Sequence, residues 1–291
     1  MKKSINHILC LLAMQTTLFG ASWSEVLENH REYLPEDSLI MRQYKAFCEG
    51  DAPPIVDPRI KEIPISENGE ALIDLRASNG KRVSMMAEPS LPFAGPLYNS
   101  GLPGASKMRG PVFHRLEKMV EELDSLAPLF GYEAGQIDIL LFEGLRDLGT
   151  QKMLFEKKLE EILKANPDMT LEAAERETCK WVSPVKNNTP VHSTGAAVDI
   201  RLWDNKAGAF LDLGPFGVIW GGSTFAPTFS EAITDVEKNN RLYSLLAAER
   251  AGLTNYVYEW WHFSYGDRYD LYWKKSDLEE KIALYGSIEL Y

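Results

Sequence analysis

Two short strings hold the residues best suited to hydrolytic chemistry: His192-Ser-Thr-Gly-Ala-Ala-Val-Asp199 and, sixty residues after that aspartate, Glu259-Trp-Trp-His262. Together they supply two imidazoles and two carboxylates. A hydrolytic zinc site asks for such a set, with three ligands that leave one coordination position open and a base beside it. The chain has five histidines, and two of them sit in these strings.

Asp199 lies inside an apolar run, Ala196-Ala-Val-Asp-Ile-Arg-Leu202, which reads as a strand. Burying an unpaired charge is costly, so a cation must face this carboxylate. A metal would serve, and so would a guanidinium such as Arg201. Gly195 and Ala196 remove side-chain bulk where something must approach the backbone closely. Glu259 and His262 are three apart, which is one face of a helix but opposite faces of a regular strand. The run Tyr256-Val-Tyr-Glu-Trp-Trp-His-Phe263 is aromatic and β-branched, hence a strand. Both side chains reach one site only if that strand ends or bulges there. The plain alternative is an aromatic core strand with Glu259 and His262 in solvent; the second His/Asp string favours the metal.

The scaffold has 291 residues, enough for one large domain, with 45% hydrophobic and 25% charged residues, the mix of an ordinary globular protein. A formal net charge of -11 argues against nucleic acid as a partner, since phosphate binding needs clustered Lys and Arg, and against attachment to anionic lipid. Residues 1–21 read as an export signal. Lys2 and Lys3 precede the apolar Ile8-Leu-Cys-Leu-Leu-Ala-Met14, and Leu18-Phe-Gly-Ala21 closes it with small residues. The apolar run is too short to span a bilayer, and Cys10 lies inside it rather than after a cleavage box, so no stable membrane anchor is expected. Export implies a periplasmic or secreted protein; without it the protein is cytoplasmic. Cys48 and Cys179 then remain, able to pair or to lie apart, and no CxxC is present.

Residues 22–70 read as an irregular extension broken by Pro35, Pro53, Pro54, Pro58 and Pro64, with some helical spacing between Ser22 and Phe47. Residues 71–291 form the main domain, opened by the strand Ala71–Leu75. Val112, Phe113, Leu116, Met119, Val120, Leu123 and Leu126 recur at helical steps after Pro111. Ile137–Phe142 reads as a strand ended by Gly144. Helices follow at about 150–164 and 171–181, a loop over 182–191, and a helix at 242–251. This irregular alternation predicts an α+β fold, with helices flanking a small, largely antiparallel sheet.

The two strings resemble the His-x-x-Gly-x-Ala-x-Asp and Glu-x-x-His pattern of the zinc D-alanyl-D-alanine dipeptidases. These are VanX-type members of peptidase family M15, whose wider circle includes hedgehog-like folds. Asp74-Leu-Arg76, Phe93-Ala-Gly-Pro-Leu-Tyr98, Met108-Arg109, Phe142-Glu-Gly-Leu-Arg146 and Asn240-Arg241 match other family elements in order, the last pair expected just before the final helix and strand. The resemblance covers roughly residues 71–273. It implies a hedgehog/D-Ala-D-Ala-peptidase-like fold in which His192, Asp199 and His262 bind a single Zn2+. It further implies that Glu259 is the general base, that Arg146 stabilises the transition state, and that the substrate is a small D-amino-acid dipeptide or cell-wall peptide. Taken by itself, Arg146 reads more readily as a surface salt-bridge partner of Glu143 or Asp147 than as a catalytic group. Two positions depart from the pattern. Asp147 stands where the family places proline, and Leu213-Gly-Pro-Phe-Gly217 has glycine where the family carries the acid that receives the dipeptide's ammonium group.

The leading expectation is therefore a D-alanyl-D-alanine dipeptidase of peptidoglycan metabolism. A D,D-carboxypeptidase acting on longer muropeptides is the neighbouring alternative, and a catalytically silent, metal-stabilised binding module is the alternative of a different class. Glu259 speaks against the silent module, which has no need of a base beside its metal. A serine hydrolase is disfavoured because no GxSxG occurs, and HExxH is absent. His114-Arg-Leu-Glu117 reads as the solvated face of a helix.

Overall fold

The computed structural model describes residues 20–77, 82–86, 102, 104–215, 224–274 and 280–289. Most of the signal-like segment, the Phe93–Tyr98 match and Gly217 lie outside the described residues.

Six strands form the main sheet, in the order β2 (Val83–Met85), β4 (Ile137–Glu143), β5 (Ala197–Asp204), β8 (Glu259–Ser264) and β7 (Thr254–Tyr256), with β6 (Ala209–Phe210) paired to β5. Among the described residues only the β2–β4 pair of this sheet is parallel, so the sheet is largely antiparallel. The expected first strand is β1 (Leu72–Asp74), which pairs with β3 (Lys107–Arg109) in a separate two-stranded sheet. Along β4, buried and part-exposed residues alternate, as a half-covered strand requires. On β5, residues 197 to 200 are all buried, because that strand lies mid-sheet.

Helix α4 (Gly110–Leu126) buries the seven apolar residues whose spacing announces it. It packs against α7 (Asp235–Ala251), and the two are tied by Tyr243 Oη donating to the Leu123 carbonyl at 2.6 Å. Helix α7 begins seven residues before the expected position. Asn240 and Arg241 therefore lie inside it rather than ahead of it. Its first half hides from a hydrophobicity pattern because it buries polar side chains. Arg241 is 1% exposed and donates to the carbonyls of Leu213, Phe225 and Pro227 at 2.7–2.8 Å. Thr234 and Glu237 form a capping box that starts the helix.

Residues 22–70 are more ordered than their prolines suggest. They hold α1 (Trp23–Asn29), α2 (Leu39–Glu49) and α3 (Pro58–Lys61). Pro58 occupies the first turn of α3, where its missing N–H costs nothing, and Pro35, Pro53, Pro54 and Pro64 lie between helices. Trp23, Leu27, Leu34, Ile40 and Ile60 join the same apolar core as the sheet. Helices α5 (Leu148–Ala165) and α6 (Leu171–Thr178) pack on each other, and the chain closes with α8 (Arg268–Lys274). Cys48 is exposed, Cys179 is partly buried, and both are free thiols. Among the described residues, no helix is long and apolar enough to cross a membrane.

Candidate metal centre

His192 sits in a 3₁₀ turn, Val191–Thr194, that ends in Gly195 at φ +70°. A Cβ at Gly195 would lie 2.9 Å from a Leu72 methyl in a backbone conformation L-residues rarely adopt, so the close approach expected there is real. The His192 ring places Nδ1 2.9 Å from the Gly144 carbonyl. A carbonyl can only accept, so this nitrogen carries the proton and Nε2 is left as a bare donor for a metal. Gly144 is itself required: a Cβ would meet the Lys107 carbonyl oxygen at 2.3 Å.

Asp199 on β5 is paired with His262 on the neighbouring β8. The β7–β8 ladder shifts register between Asn255 and Tyr256, so Tyr256 opposes Glu259 while Asn255 opposes Phe263. Glu259 is the first residue of β8, so the strand starts at this irregularity, as the three-residue spacing required, and Glu259 and His262 reach one site. His192 Nε2, His262 Nδ1 and Asp199 Oδ1 stand 3.0, 3.1 and 3.3 Å apart, and all three residues are buried. Around zinc with bonds near 2.0–2.1 Å, a tetrahedron sets its ligand atoms about 3.3 Å apart. The donor set and its spacing therefore fit a zinc-like ion. Among the described residues this is the cluster of His, Cys, Asp or Glu able to hold a metal. Arg201 is not the partner of Asp199; its guanidinium lies 3.7 Å over the Phe210 ring.

Burial opposes the charge of Asp199, but the two imidazoles overcome it and hold the carboxyl well below the usual range. On His192, burial is likewise outweighed by Asp199, and the ring is raised; on His262, burial prevails and the ring is lowered. Glu259 Oε2 is 3.8 Å from His262 Nδ1, beside the ligands rather than among them. Its side chain keeps 35% exposure, which places it at the mouth of the site. The protein packed around it and the charge of Asp199 push its carboxyl up to about 8.

Arg146 follows the strand-end turn after β4. It is 8% exposed and gives a two-pronged pair to Glu143, so the Glu143 alternative describes its contact while its burial rules out a surface bridge. Its Nη1 donates to Gln151 Oε1 at 2.9 Å, and Gln151 donates onward to the Ser183 carbonyl. Asp147 does not compete for the guanidinium, because its carboxylate caps α5 through the Thr150 amide and hydroxyl. The Arg146 amide donates to the His192 carbonyl at 3.1 Å, which stitches the arginine turn to the ligand turn. Gln151 and the Gly144 carbonyl escape sequence reading, since a helical glutamine and a backbone atom carry no motif. Glu143 is visible only as an acid three residues before the arginine. His114 is a solvated helix residue beside Glu117, as expected.

Residues 137–280 match the family model of peptidase M15, described as D-Ala-D-Ala dipeptidase. A D-alanyl-D-alanine dipeptidase of Synechocystis sp. is 27% identical over 247 residues, covering 78% of this chain and 95% of that protein. Among solved structures, VanYB in complex with D-alanine-D-alanine aligns with 17% identity and a TM-score of 0.32, over 55% of this chain and 71% of its own. A zinc complex of the vancomycin-resistance D,D-pentapeptidase VanY aligns with 17% identity and a TM-score of 0.31, over 55% of this chain and 72% of its own.

Proposed function

We propose that this chain is a metallopeptidase of the M15 family that hydrolyses D-alanyl-D-alanine through a zinc ion held by His192, Asp199 and His262. The observation that carries the reading is the triangle of ligand atoms at 3.0–3.3 Å with Glu259 beside it. Bound there, zinc supplies a Lewis acid that lowers the pKa of a water molecule to about 7.

The chain's own groups do the rest. Two neutral imidazoles and one carboxylate leave the site a residual positive charge, which attracts the scissile carbonyl. Glu259, outside the ligand triangle and open to solvent on one side, takes the proton of the attacking water and returns it to the leaving amine. Such proton transfer is typically worth on the order of 10²–10⁴-fold. A dication beside it favours the ionised carboxylate, the form a base needs. Arg146 faces the oxyanion that develops on the substrate carbonyl, a role commonly worth about 10²–10³-fold. The Gly144 bond to His192 Nδ1 fixes that ring before substrate arrives.

The dipeptide substrate is supported by the matching family model and the 27% identical relative, both described as D-Ala-D-Ala dipeptidase. A longer cell-wall peptide ending in the same unit is the second reading, favoured by glycine at 217 where the family carries its ammonium acceptor. Comparing alanine release from the free dipeptide and from a stem peptide decides between them: release from the stem peptide alone reverses the ranking. The signal-like residues 1–21 support an exported enzyme acting on peptidoglycan fragments, which fractionation of the expressing cell tests.

A further inference from the structure

From His192 to the glycine that closes its turn, each of the four carbonyls accepts a hydrogen bond from outside the turn. His192 O accepts from the Arg146 amide at 3.1 Å, Ser193 O from the Ile288 amide at 2.7 Å and Gly195 O from the Arg109 amide at 2.8 Å. Thr194 O accepts from Arg109 Nε at 2.9 Å. Two of the four donors thus belong to Arg109, and a third to the segment 283–289.

Arg109 and that segment are themselves joined. The guanidinium, 4% exposed, lies 5.0 Å from the centre of the Tyr285 ring. Its Nη2 donates to Glu67 Oε2 at 2.9 Å, and the same oxygen accepts from the Gly286 amide at 2.6 Å. Tyr285 Oη donates to Glu70, whose carbonyl accepts from Arg109 Nη1 at 2.6 Å. Upstream, Ala283 exchanges backbone bonds with the Pro64–Ser66 stretch, and the Leu284 amide donates to Gly266, just past the strand that carries Glu259 and His262.

We propose that residues 283–289, locked by Arg109, Glu67 and Tyr285, form a strap that positions His192 and thereby sets metal affinity. The proposal rests on the reading of the triad as a zinc site. A single 3₁₀ turn ending in a left-handed glycine has no helix or ladder of its own to hold it. The His192 carbonyl also accepts from the Gly195 amide at 3.2 Å, but the outside donors are what tie the turn to the rest of the fold, and coordination tolerates displacements of about 0.2 Å. Neither Arg109 nor the strap falls within the residues matched by the family model.

The test uses the full chain and substitutions away from the ligands. Ile288→Pro removes the single N–H that Ser193 O receives, and Ile288→Ala keeps it. Arg109→Lys keeps the charge and loses the donation to Thr194. The readouts are zinc affinity by competition with a chromophoric chelator, the d–d spectrum of the Co2+-loaded protein, and the unfolding midpoint of the metal-free protein. Ile288→Pro and Arg109→Lys are expected to weaken zinc roughly 10–100-fold and to change the cobalt spectrum. Ile288→Ala is expected to bind as the unaltered chain does. A purely structural strap would move the metal-free midpoint and leave affinity and spectrum alone, and that result overturns the proposal. Equal weakening by Ile288→Ala and Ile288→Pro also overturns it. Should Ile288→Pro not fold, Arg109→Lys decides by the same two metal readouts. An unaltered chain that binds neither ion overturns the zinc reading and this proposal together, whereas tight binding insensitive to both substitutions overturns the strap alone.

Discussion

Arg146 grips Glu143 with two parallel hydrogen bonds, Nη2 to Oε2 at 2.6 Å and Nε to Oε1 at 2.7 Å, both groups being almost wholly buried. The pair leaves the guanidinium little freedom, and Gln151 accepts a further hydrogen bond from it. An arginine so fixed is preorganised for charge that appears elsewhere, which is what oxyanion stabilisation requires. Arg146→Ala should lower kcat/KM by about 10²–10³-fold while zinc affinity holds. Steady-state kinetics beside a zinc titration checks this, and full activity in Arg146→Ala would remove the arginine from the mechanism.

The same pair has a stability consequence. Glu143→Ala leaves a buried guanidinium without its counter-ion, a change that typically costs about 3–5 kcal/mol. Glu143→Gln keeps one acceptor and should cost less while still loosening Arg146, so kcat falls more than stability does. Denaturant unfolding of both variants, read beside their kcat, separates the two effects.

Asp199 supplies the one anionic ligand of the triad. Asp199→Asn keeps its shape and removes the charge that offsets the dication. The loss of zinc affinity should exceed the roughly 10–100-fold cost of losing an outer partner. Because an ion that binds only the folded chain stabilises it by about 2.7 kcal/mol at 100 times its Kd, chelation should lower the unfolding midpoint of the unaltered protein. Asp199→Asn should show little such shift. An equal shift in both proteins would place the ion elsewhere.

Much of this centre is legible in the sequence, and the reasons differ by residue. Histidine and aspartate at fixed spacing announce themselves, and the mismatch of Glu259 and His262 with a regular strand foretells the β7–β8 irregularity that places them. Helix α4 reads plainly because it buries one apolar stripe. Helix α7 does not, because it is buried nearly all round and satisfies Asn240 and Arg241 through loop carbonyls distant in sequence. The helices within residues 22–70 hide behind prolines that punctuate them. What holds the His192 turn is illegible for another reason: its anchors are backbone carbonyls, and a backbone atom leaves no trace in residue identity.

Asp267 gives a pH signature apart from catalysis. It is 2% exposed; burial first and the neighbouring Asp270 charge next push its carboxyl up to about 7. In the unfolded chain it titrates near 3.9. The folded state therefore holds the extra proton between those values, and this group's contribution weakens folding as pH rises through that window. Below about pH 4 both states are protonated and nothing is lost; above about pH 7 the loss is complete. Asp267→Asn, neutral throughout, should gain stability on the unaltered protein from pH 4 to 7 and hold that gain beyond. A stability difference constant across the range would contradict the assignment.

Alanine release from D-alanyl-D-alanine by the zinc-loaded chain, run beside Glu259→Ala, tests the central claim most directly. The unaltered protein should bind one zinc per chain and cleave the peptide. Glu259→Ala should bind zinc equally and turn over about 10²–10⁴-fold more slowly. A chain that binds stoichiometric zinc yet cleaves neither the dipeptide nor a stem peptide ending in it would contradict the account, as would Glu259→Ala at full rate.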